Sequence, residues 1–315
     1  MKMLPQFLLK LTICFVLFIH AINVNASHVI GSEISYQCMS GTPGIYLVTV
    51  KLYRDCSGVQ LCANCPTSLS TGCNISLNIV GAASPLGSGI PPSPCGGVSF
   101  GSQLLTVLPV ISGYDVVQLC NLEKTICSNC GTRTPGSFSP GVEVYTFQGV
   151  VNFSSIPASC CLISIGYNTC CRNNAITTLQ NPQGLNFYSE AFINRCATPC
   201  NSSPNYTTEL DFVVPAGKDY VTNLGIYDPD GDSLSYHMGA TRISAGTAAP
   251  YSPPYSPFAP FPYFGFPIQS PPAIPPSGIS VNPINGNYQF RPIGNFVAPI
   301  VLEVKQWKNI NGIPT

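Results

Sequence analysis

Three aspartates, Asp228, Asp230 and Asp232, alternate around a proline and a glycine in the stretch YDPDGDSLSY at residues 227–236. Closely spaced carboxylates raise one another's pKa unless a cation lies among them. Outside the cell, calcium is the cation that prefers carboxylate and carbonyl oxygens. The spacing is not that of an EF-hand, because Gly231 directly follows the second aspartate. Asp-Pro-Asp-Gly also forms a good β-turn without metal, so the sequence leaves a calcium site and a bare turn both open.

Catalysis has weaker support. Beyond residue 26 the chain has only two imidazoles, His28 and His237, and neither lies in a recognisable hydrolase motif. A glycosidase can use two carboxylates, which would again be the aspartates of the turn. Those carboxylates lie within a few residues of one another, where a hard cation is the simpler occupant. We therefore predict that the protein is not an enzyme.

The cysteines indicate an oxidised, secreted protein. Cys14 lies in the N-terminal apolar run, and the other fifteen of the sixteen fall between Cys38 and Cys200. This density predicts a disulfide framework with an odd cysteine left over. Two Cys-x-x-Cys pairs also allow a zinc site as a minor alternative. They are Cys62/Cys65 and Cys127/Cys130.

Two pairs of adjacent cysteines, Cys160/Cys161 and Cys170/Cys171, are separated by LISIGYNT. Neighbouring residues on a strand face opposite sides. Each pair is therefore expected to send bridges to two different layers of the fold.

Residues 1–26 have the features of an export signal, with Lys2 and Lys10 before an apolar run and the small-residue ending Val24-Asn25-Ala26. The apolar run of about 12 residues is too short for a transmembrane helix. The remaining chain carries no basic stripe, which excludes nucleic acid as an expected partner. The predicted location is extracellular or on the outer cell surface.

Period-two patterns run along most of the remaining chain and predict an all-β fold. Ile75, Leu77 and Ile79 alternate with polar residues, as a half-buried strand requires. Residues 45–53 and 142–151 are β-branched and aromatic runs that predict two further strands.

The change in cysteine content predicts two domains, a cysteine-rich β domain at 27–200 and a β-sandwich at 201–315. Asn285-Gly286, between apolar runs in the second domain, predicts a hairpin. Residues 249–277 form an insertion with eleven prolines and seven aromatics. Proline at this density excludes helix and central strand. Its aromatics could present themselves to a partner, but packing back over the sandwich is favoured because exposed apolar patches are avoided.

Short motifs in the first domain resemble a known family. The stretches SHVIGSEISYQC, KLYRDC and CCRNNAI are similar to the N-terminal region of large surface proteins of gliding Bacteroidota, which are exported by the type IX system. The match includes Tyr53 to Cys56 and Cys171 to Asn173, and it implies a surface location and no catalytic role. Relatives of this type run on for hundreds of residues, so the chain is expected to be a fragment.

The second domain has a strand, an Asp-rich turn, a second strand and the final stretch NPINGNYQF, in that order. In this order of elements it resembles the cadherin-like and immunoglobulin-like repeats of bacterial adhesins. That resemblance implies a calcium site at the edge of the repeat, shared with a neighbouring module. The predicted function is a surface structural or adhesion module that acts by binding or spacing. The alternative is a secreted glycan-binding protein or an accessory module of a polysaccharide hydrolase, with Tyr255 and Tyr263 on the sugar platform.

Overall fold

The structure is a computed structural model. It describes residues 29–39, 42–58, 60–62, 73–82, 94–117, 125–127, 141–196, 198–266, 278–310 and 313–314. The predicted signal peptide, Cys65, Cys120, Cys130 and the last part of the proline-rich insertion lie outside the described residues.

The fold is almost entirely antiparallel β-structure, which confirms the predicted class. Two short 3₁₀ helices interrupt it, Pro109–Ile111 and Pro182–Gly184. The strands, in chain order, are β1 Val29–Cys38, β2 Ile45–Asp55, β3 Asn74–Gly81, β4 Ser99–Val107, β5 Tyr114–Asp115, β6 Val142–Asn152, β7 Leu162–Thr169, β8 Phe187–Asn194, β9 Tyr220–Thr222, β10 Ser233–Gly239, β11 Arg242–Ser244, β12 Thr247–Ala248, β13 Ile279–Val281, β14 Tyr288–Phe290, β15 Val301–Trp307, β16 Asn309–Ile310 and β17 Ile313–Pro314.

The largest sheet has the strand order β1-β2-β6-β4-β3-β7-β8-β11-β12, with β5 on β6. It bends between β6 and β4, which pair only at Thr106↔Gln148 and Val107↔Phe147. The bend brings β1 back against β8, where the Tyr36 hydroxyl donates to the Phe192 carbonyl oxygen at 2.8 Å. The two layers enclose one apolar core, as in a β-sandwich.

The predicted strands are present where the sequence pattern places them. In β3, Ile75, Leu77 and Ile79 are buried, while Asn74, Ser76 and Asn78 are exposed. The runs at 45–53 and 142–151 lie in β2 and β6, which pair with each other along their whole length. β6 is buried on both faces at its start, because residues beyond position 200 cover the outer face of this layer.

The C-terminal part contains a three-stranded sheet, β13-β14-β9, and a two-stranded sheet, β10-β15. The predicted Asn285-Gly286 hairpin is confirmed as the connection between β13 and β14. Within the described part of the proline-rich insertion, Phe261 and Tyr263 are buried in the C-terminal core beside Phe290. The favoured interpretation, in which the aromatics pack back onto the fold, holds for these two residues.

The N-terminal and C-terminal parts contact each other at several places among the described residues, and two of these areas bear on the site. β11 pairs with β8 through Arg242↔Tyr188, so two strands from beyond position 200 extend the N-terminal sheet. Residues 199–212 lie along the outer face of β1 and β2, where Phe212 packs on Tyr53 at 4.9 Å between ring centroids. We call residues 199–212 the linker segment.

All twelve described cysteines are disulfide-bonded, which confirms the predicted framework. The bridges are Cys38–Cys200, Cys56–Cys127, Cys62–Cys73, Cys95–Cys160, Cys161–Cys196 and Cys170–Cys171. Because Cys62 and Cys127 belong to separate bridges, these two residues cannot supply the thiolates of the zinc alternative.

The two adjacent pairs of cysteines differ. Cys160 and Cys161 bond to two different partners, Cys95 and Cys196. The prediction of bridges to two different layers is wrong for Cys170 and Cys171, which bond to each other. Strand β7 ends at Thr169, so these two cysteines lie beyond it and the alternation of strand side chains does not apply to them.

The motif residues Arg54 and Asp55 have separate structural partners, as expected for neighbours on a strand. Arg54 is fully buried and donates to Glu143, its cross-strand partner, at 2.7 Å. Asp55 accepts a hydrogen bond from the Asn173 side-chain amide at 2.8 Å. Two of the three short motifs that support the family resemblance, KLYRDC and CCRNNAI, are therefore joined to each other in the fold.

We expect Asn173→Ala to lower the free energy of unfolding by about 1 kcal/mol, because it removes this link between the motifs. Urea unfolding with the disulfides intact measures the change. Asn174→Ala is the matched control, since Asn174 is the adjacent, exposed asparagine. Equal unfolding curves for the two variants would show that the link contributes nothing to stability.

Candidate functional site

The three aspartates lie in the turn that precedes β10, at the end of the C-terminal part nearest the linker segment. β10 pairs with β15, and this pairing places Leu234 opposite Gln306. A bridge between Asn205 and Tyr227 fixes the other side of the turn against the linker segment. The aspartates, the linker segment and the end of β15 therefore form one junction.

Each aspartate has a different position in this junction. Asp228 Oδ1 accepts the backbone N–H groups of Asp230 and Asp232 at 2.8 and 3.1 Å, which closes the turn. Asp230 Oδ2 accepts the backbone N–H of Ser202 at 2.6 Å and so ties the turn to the linker segment. The structure brings Asp228 and Asp232 together on one side chain, Gln306, and directs Asp230 to the linker segment instead.

The Gln306 amide nitrogen is surrounded by more oxygens than it can satisfy. It lies 2.6 Å from Asp228 Oδ2 and 2.7 Å from Asp232 Oδ2. The Ser202 carbonyl oxygen and Asn201 Oδ1 follow at 3.1 and 3.3 Å. A side-chain amide carries two protons, so two of these four oxygens lack a proton from it. Two carboxylates, a carbonyl and an amide oxygen thus converge on one point.

The electrostatics of the turn reflect this crowding. Burial raises the pKa of Asp228, and the neighbouring carboxylates Asp232 and Asp230 raise it further, against the lowering effect of the two backbone N–H groups. One cation of the chain is close, because Lys308 Nζ lies 3.3 Å from Asp232 Oδ2. Lys308 contacts one carboxylate of the junction, while Asp228 has only neutral donors around it.

Three oxygen donors of the junction were missed from the sequence, namely Asn201, Ser202 and Gln306. Asn201 and Ser202 follow the last cysteine and show no motif of their own. The only available signal for Gln306 is its place in a strand that could pair with the strand after the turn. Asn201 and Ser202 belong to the linker segment, so the oxygens around Gln306 come from both sides of the junction.

A second arrangement that could support catalysis is the contact between Ser235 and His237. The Ser235 hydroxyl lies 3.3 Å from His237 Nε2, and it also accepts the Trp307 indole N–H at 2.8 Å. A nucleophilic serine needs a base that a third group orients. Within the described residues, the other ring nitrogen of His237 has no hydrogen-bond partner, so the arrangement lacks that third group.

The residues expected on an aromatic sugar platform are not both available to a ligand. Tyr263 is fully buried, and its hydroxyl has no hydrogen-bond partner among the described residues. Tyr255 is partly exposed and packs against Phe266 at 5.7 Å between ring centroids. Stacking of a sugar ring on Tyr263 would require this part of the C-terminal core to open.

No protein family, curated protein or solved structure matches the chain. Among the described residues, no helix combines the length and the apolar character needed to cross a membrane. The disulfides indicate an oxidising compartment, and therefore an extracellular location for the folded chain.

Proposed function

We propose that this chain is a module of a secreted surface protein, and that it acts by binding or spacing, without catalysis. In this proposal it is the N-terminal region of a gliding-associated surface protein, as its motifs suggest, and the junction is stabilised by calcium. The observation that carries the proposal is the convergence of linker and turn oxygens on Gln306. A module that spaces or presents other domains must keep its own parts in one orientation, and this junction lies between them.

The donor set fits calcium. Calcium takes six to eight oxygens and accepts carboxylate, carbonyl and water ligands together. Asp228, Asp232, Asn201 and Ser202 already supply four oxygens around one point. Gln306 carries a further oxygen on the same amide group, which rotation of that group would bring to the cluster. Asp230 would hold the linker segment in place through the Ser202 N–H, and water would complete the shell.

Bound calcium would contribute stability in two ways. It would satisfy the oxygens that the Gln306 amide leaves without a proton, and it would offset the repulsion between Asp228 and Asp232. Because its ligands belong to both the linker segment and the C-terminal strands, it would also resist separation of the two parts. Lys308 competes for Asp232, which favours the weaker affinities that extracellular calcium modules show.

We expect millimolar calcium to raise the melting temperature of residues 27–315, and chelator to reverse the change. With a dissociation constant of about 0.1 mM, calcium at about 10 mM is present at 100 times that constant and stabilises the folded state by about 2.7 kcal/mol. For a chain of this size the shift in melting temperature is about 5 °C. Differential scanning calorimetry measures the shift, and small-angle scattering on the same samples reports whether the two parts keep one orientation.

Asp232→Asn should remove the calcium-dependent shift while preserving the volume of the side chain. The matched control is Asp219→Asn, which changes an exposed aspartate of the C-terminal part that pairs with Arg291. The control should keep the full shift. An unchanged transition in calcium, or an equal shift in both variants, would exclude the proposed calcium site. If the scattering curves in calcium fit only a mixture of many relative orientations of the two parts, that result would contradict the spacing role.

A further inference from the structure

A polar pocket lies on the outer face of β1 and β2, separate from the oxygens around Gln306. Its volume is about 290 Å³, which is at the small end of ligand sites and leaves room for one small molecule. Two cross-strand pairs form its floor, Glu33↔Lys51 and Ser35↔Thr49. Asn205, Tyr206 and Tyr227 form its other wall.

The wall of the pocket is held by backbone hydrogen bonds, which leaves its side chains available. The Asn205 N–H donates to the Tyr227 carbonyl oxygen at 2.8 Å, and the Tyr227 N–H donates back at 3.0 Å. Four pocket side chains make no hydrogen bond to another described residue, namely Ser35, Asn205, Tyr206 and Tyr227. These lining side chains carry three hydroxyl groups and one amide, each of which can donate and accept.

The charged groups of the pocket are paired with one another. Lys51 Nζ lies 3.1 Å from Glu209 and 3.8 Å from Glu33. Tyr53 Oη lies 2.7 Å from Glu33 Oε1 and 2.6 Å from Glu209 Oε2. The tyrosine hydroxyl has one proton, which these two carboxyl groups share. Burial raises the pKa of Glu33, against the lowering effect of the Tyr53 hydroxyl and Lys51.

Because Lys51 is paired with Glu209 and lies near Glu33, the pocket offers no unpaired cation to an anionic ligand. It offers hydroxyl and amide groups that match a ligand rich in hydroxyl groups. Tyrosine also has an apolar ring face, and Tyr227 is 51% exposed at the pocket. A pyranose has the complementary surface, with hydroxyl groups around its edge and C–H groups on its faces.

We propose that this pocket binds one neutral sugar residue of an extracellular glycan. Asn205 and Ser35 hydrogen-bond the sugar hydroxyl groups, and Tyr227 contacts the ring at the entrance. The site differs from the aromatic platform around Tyr255 and Tyr263, and it does not depend on calcium at the junction.

Saturation-transfer NMR on residues 27–315 tests the proposal, with the neutral methyl glycosides of glucose, galactose, mannose and N-acetylglucosamine as probes. At least one should bind with a dissociation constant on the order of millimolar, as expected for a ligand of this size. Methyl glucuronide, in which a carboxylate replaces the hydroxymethyl group of methyl glucoside, should bind more weakly. Failure of all four neutral probes to receive saturation, or tighter binding of the glucuronide, would overturn the proposal.

Variants locate the binding. Tyr227→Ala and Asn205→Ala should each lower the affinity for the tightest-binding probe by about fivefold or more, since each removes one contact to the sugar. Phe258→Ala and Asn174→Ala are matched controls at exposed positions that do not line the pocket, and they should bind as the parent does. Ser35→Ala, on the strand floor, gives a third test that spares the Asn205–Tyr227 bridge. Unchanged binding in all three pocket variants would place the sugar elsewhere and exclude this site.

Discussion

Glu143→Ala is expected to lower the free energy of unfolding by about 3–5 kcal/mol, because it removes the buried carboxylate that pairs with the Arg54 guanidinium. Both side chains are at most 1% exposed, and they face each other across β2 and β6 with a 2.7 Å contact. The Tyr145 hydroxyl, which donates to the same carboxylate at 3.0 Å, would lose this hydrogen bond as well. Chemical denaturation with the disulfides intact measures the loss.

A second variant separates two costs in unfolding free energy, that of an uncompensated buried charge and that of lost packing. Arg54→Met/Glu143→Leu replaces both ions by apolar side chains, and such replacements of buried pairs are often neutral or stabilising. The double variant should therefore unfold at a higher denaturant concentration than Glu143→Ala. The exposed pair Asp219–Arg291 provides the control, and Asp219→Ala should leave the unfolding midpoint unchanged. A double variant no more stable than Glu143→Ala would mean that packing, not the charge, sets the cost.

The sequence predicts those features that depend on neighbouring residues. β2, β3 and β6 follow from runs and alternation within one strand, and the Asn285-Gly286 turn follows from two residues. The position of the aspartates in a turn before a strand is likewise local. In each case the physical cause is strand pleating or turn geometry, which acts over a few residues. The types and spacing of those residues therefore show it in the sequence.

Features that join distant segments could not be predicted in this way. Gln306 is 78 residues from Asp228 and 105 from Asn201. The pairing of β10 with β15 and the Asn205–Tyr227 bridge bring them together. The proposed sugar pocket combines residues of the β1–β2 pair with Asn205 and Tyr206 of the linker segment. The bond between Cys170 and Cys171 depends on where β7 ends, which the alternating pattern does not reveal. Cysteine connectivity in general is not determined by spacing.

The bridge between Cys38 and Cys200 connects these distant features, because it joins the end of β1 to the start of the linker segment. Next to it, Ser203 exchanges hydrogen bonds with β1, since its N–H donates to the Tyr36 carbonyl and its hydroxyl accepts the Tyr36 N–H, both at 2.8 Å. The junction oxygens of Asn201 and Ser202 follow directly in the chain. A change in this one bridge should therefore affect both the stability of the fold and the order of the junction.

Cys38→Ala/Cys200→Ala is expected to lower the free energy of unfolding by about 2–5 kcal/mol, because the bridge closes a long loop in the unfolded chain. Cys62→Ala/Cys73→Ala is the matched control, since that bridge spans a separation of 11 residues instead of 162 and should cost less. Hydrogen exchange should also accelerate at residues 201–206 in the first variant and not in the control. Equal losses of stability, with unchanged exchange in the linker segment, would show that the bridge does not hold the junction. Faster exchange confined to the linker segment would show instead that Cys38–Cys200 keeps the junction oxygens and the pocket wall in place.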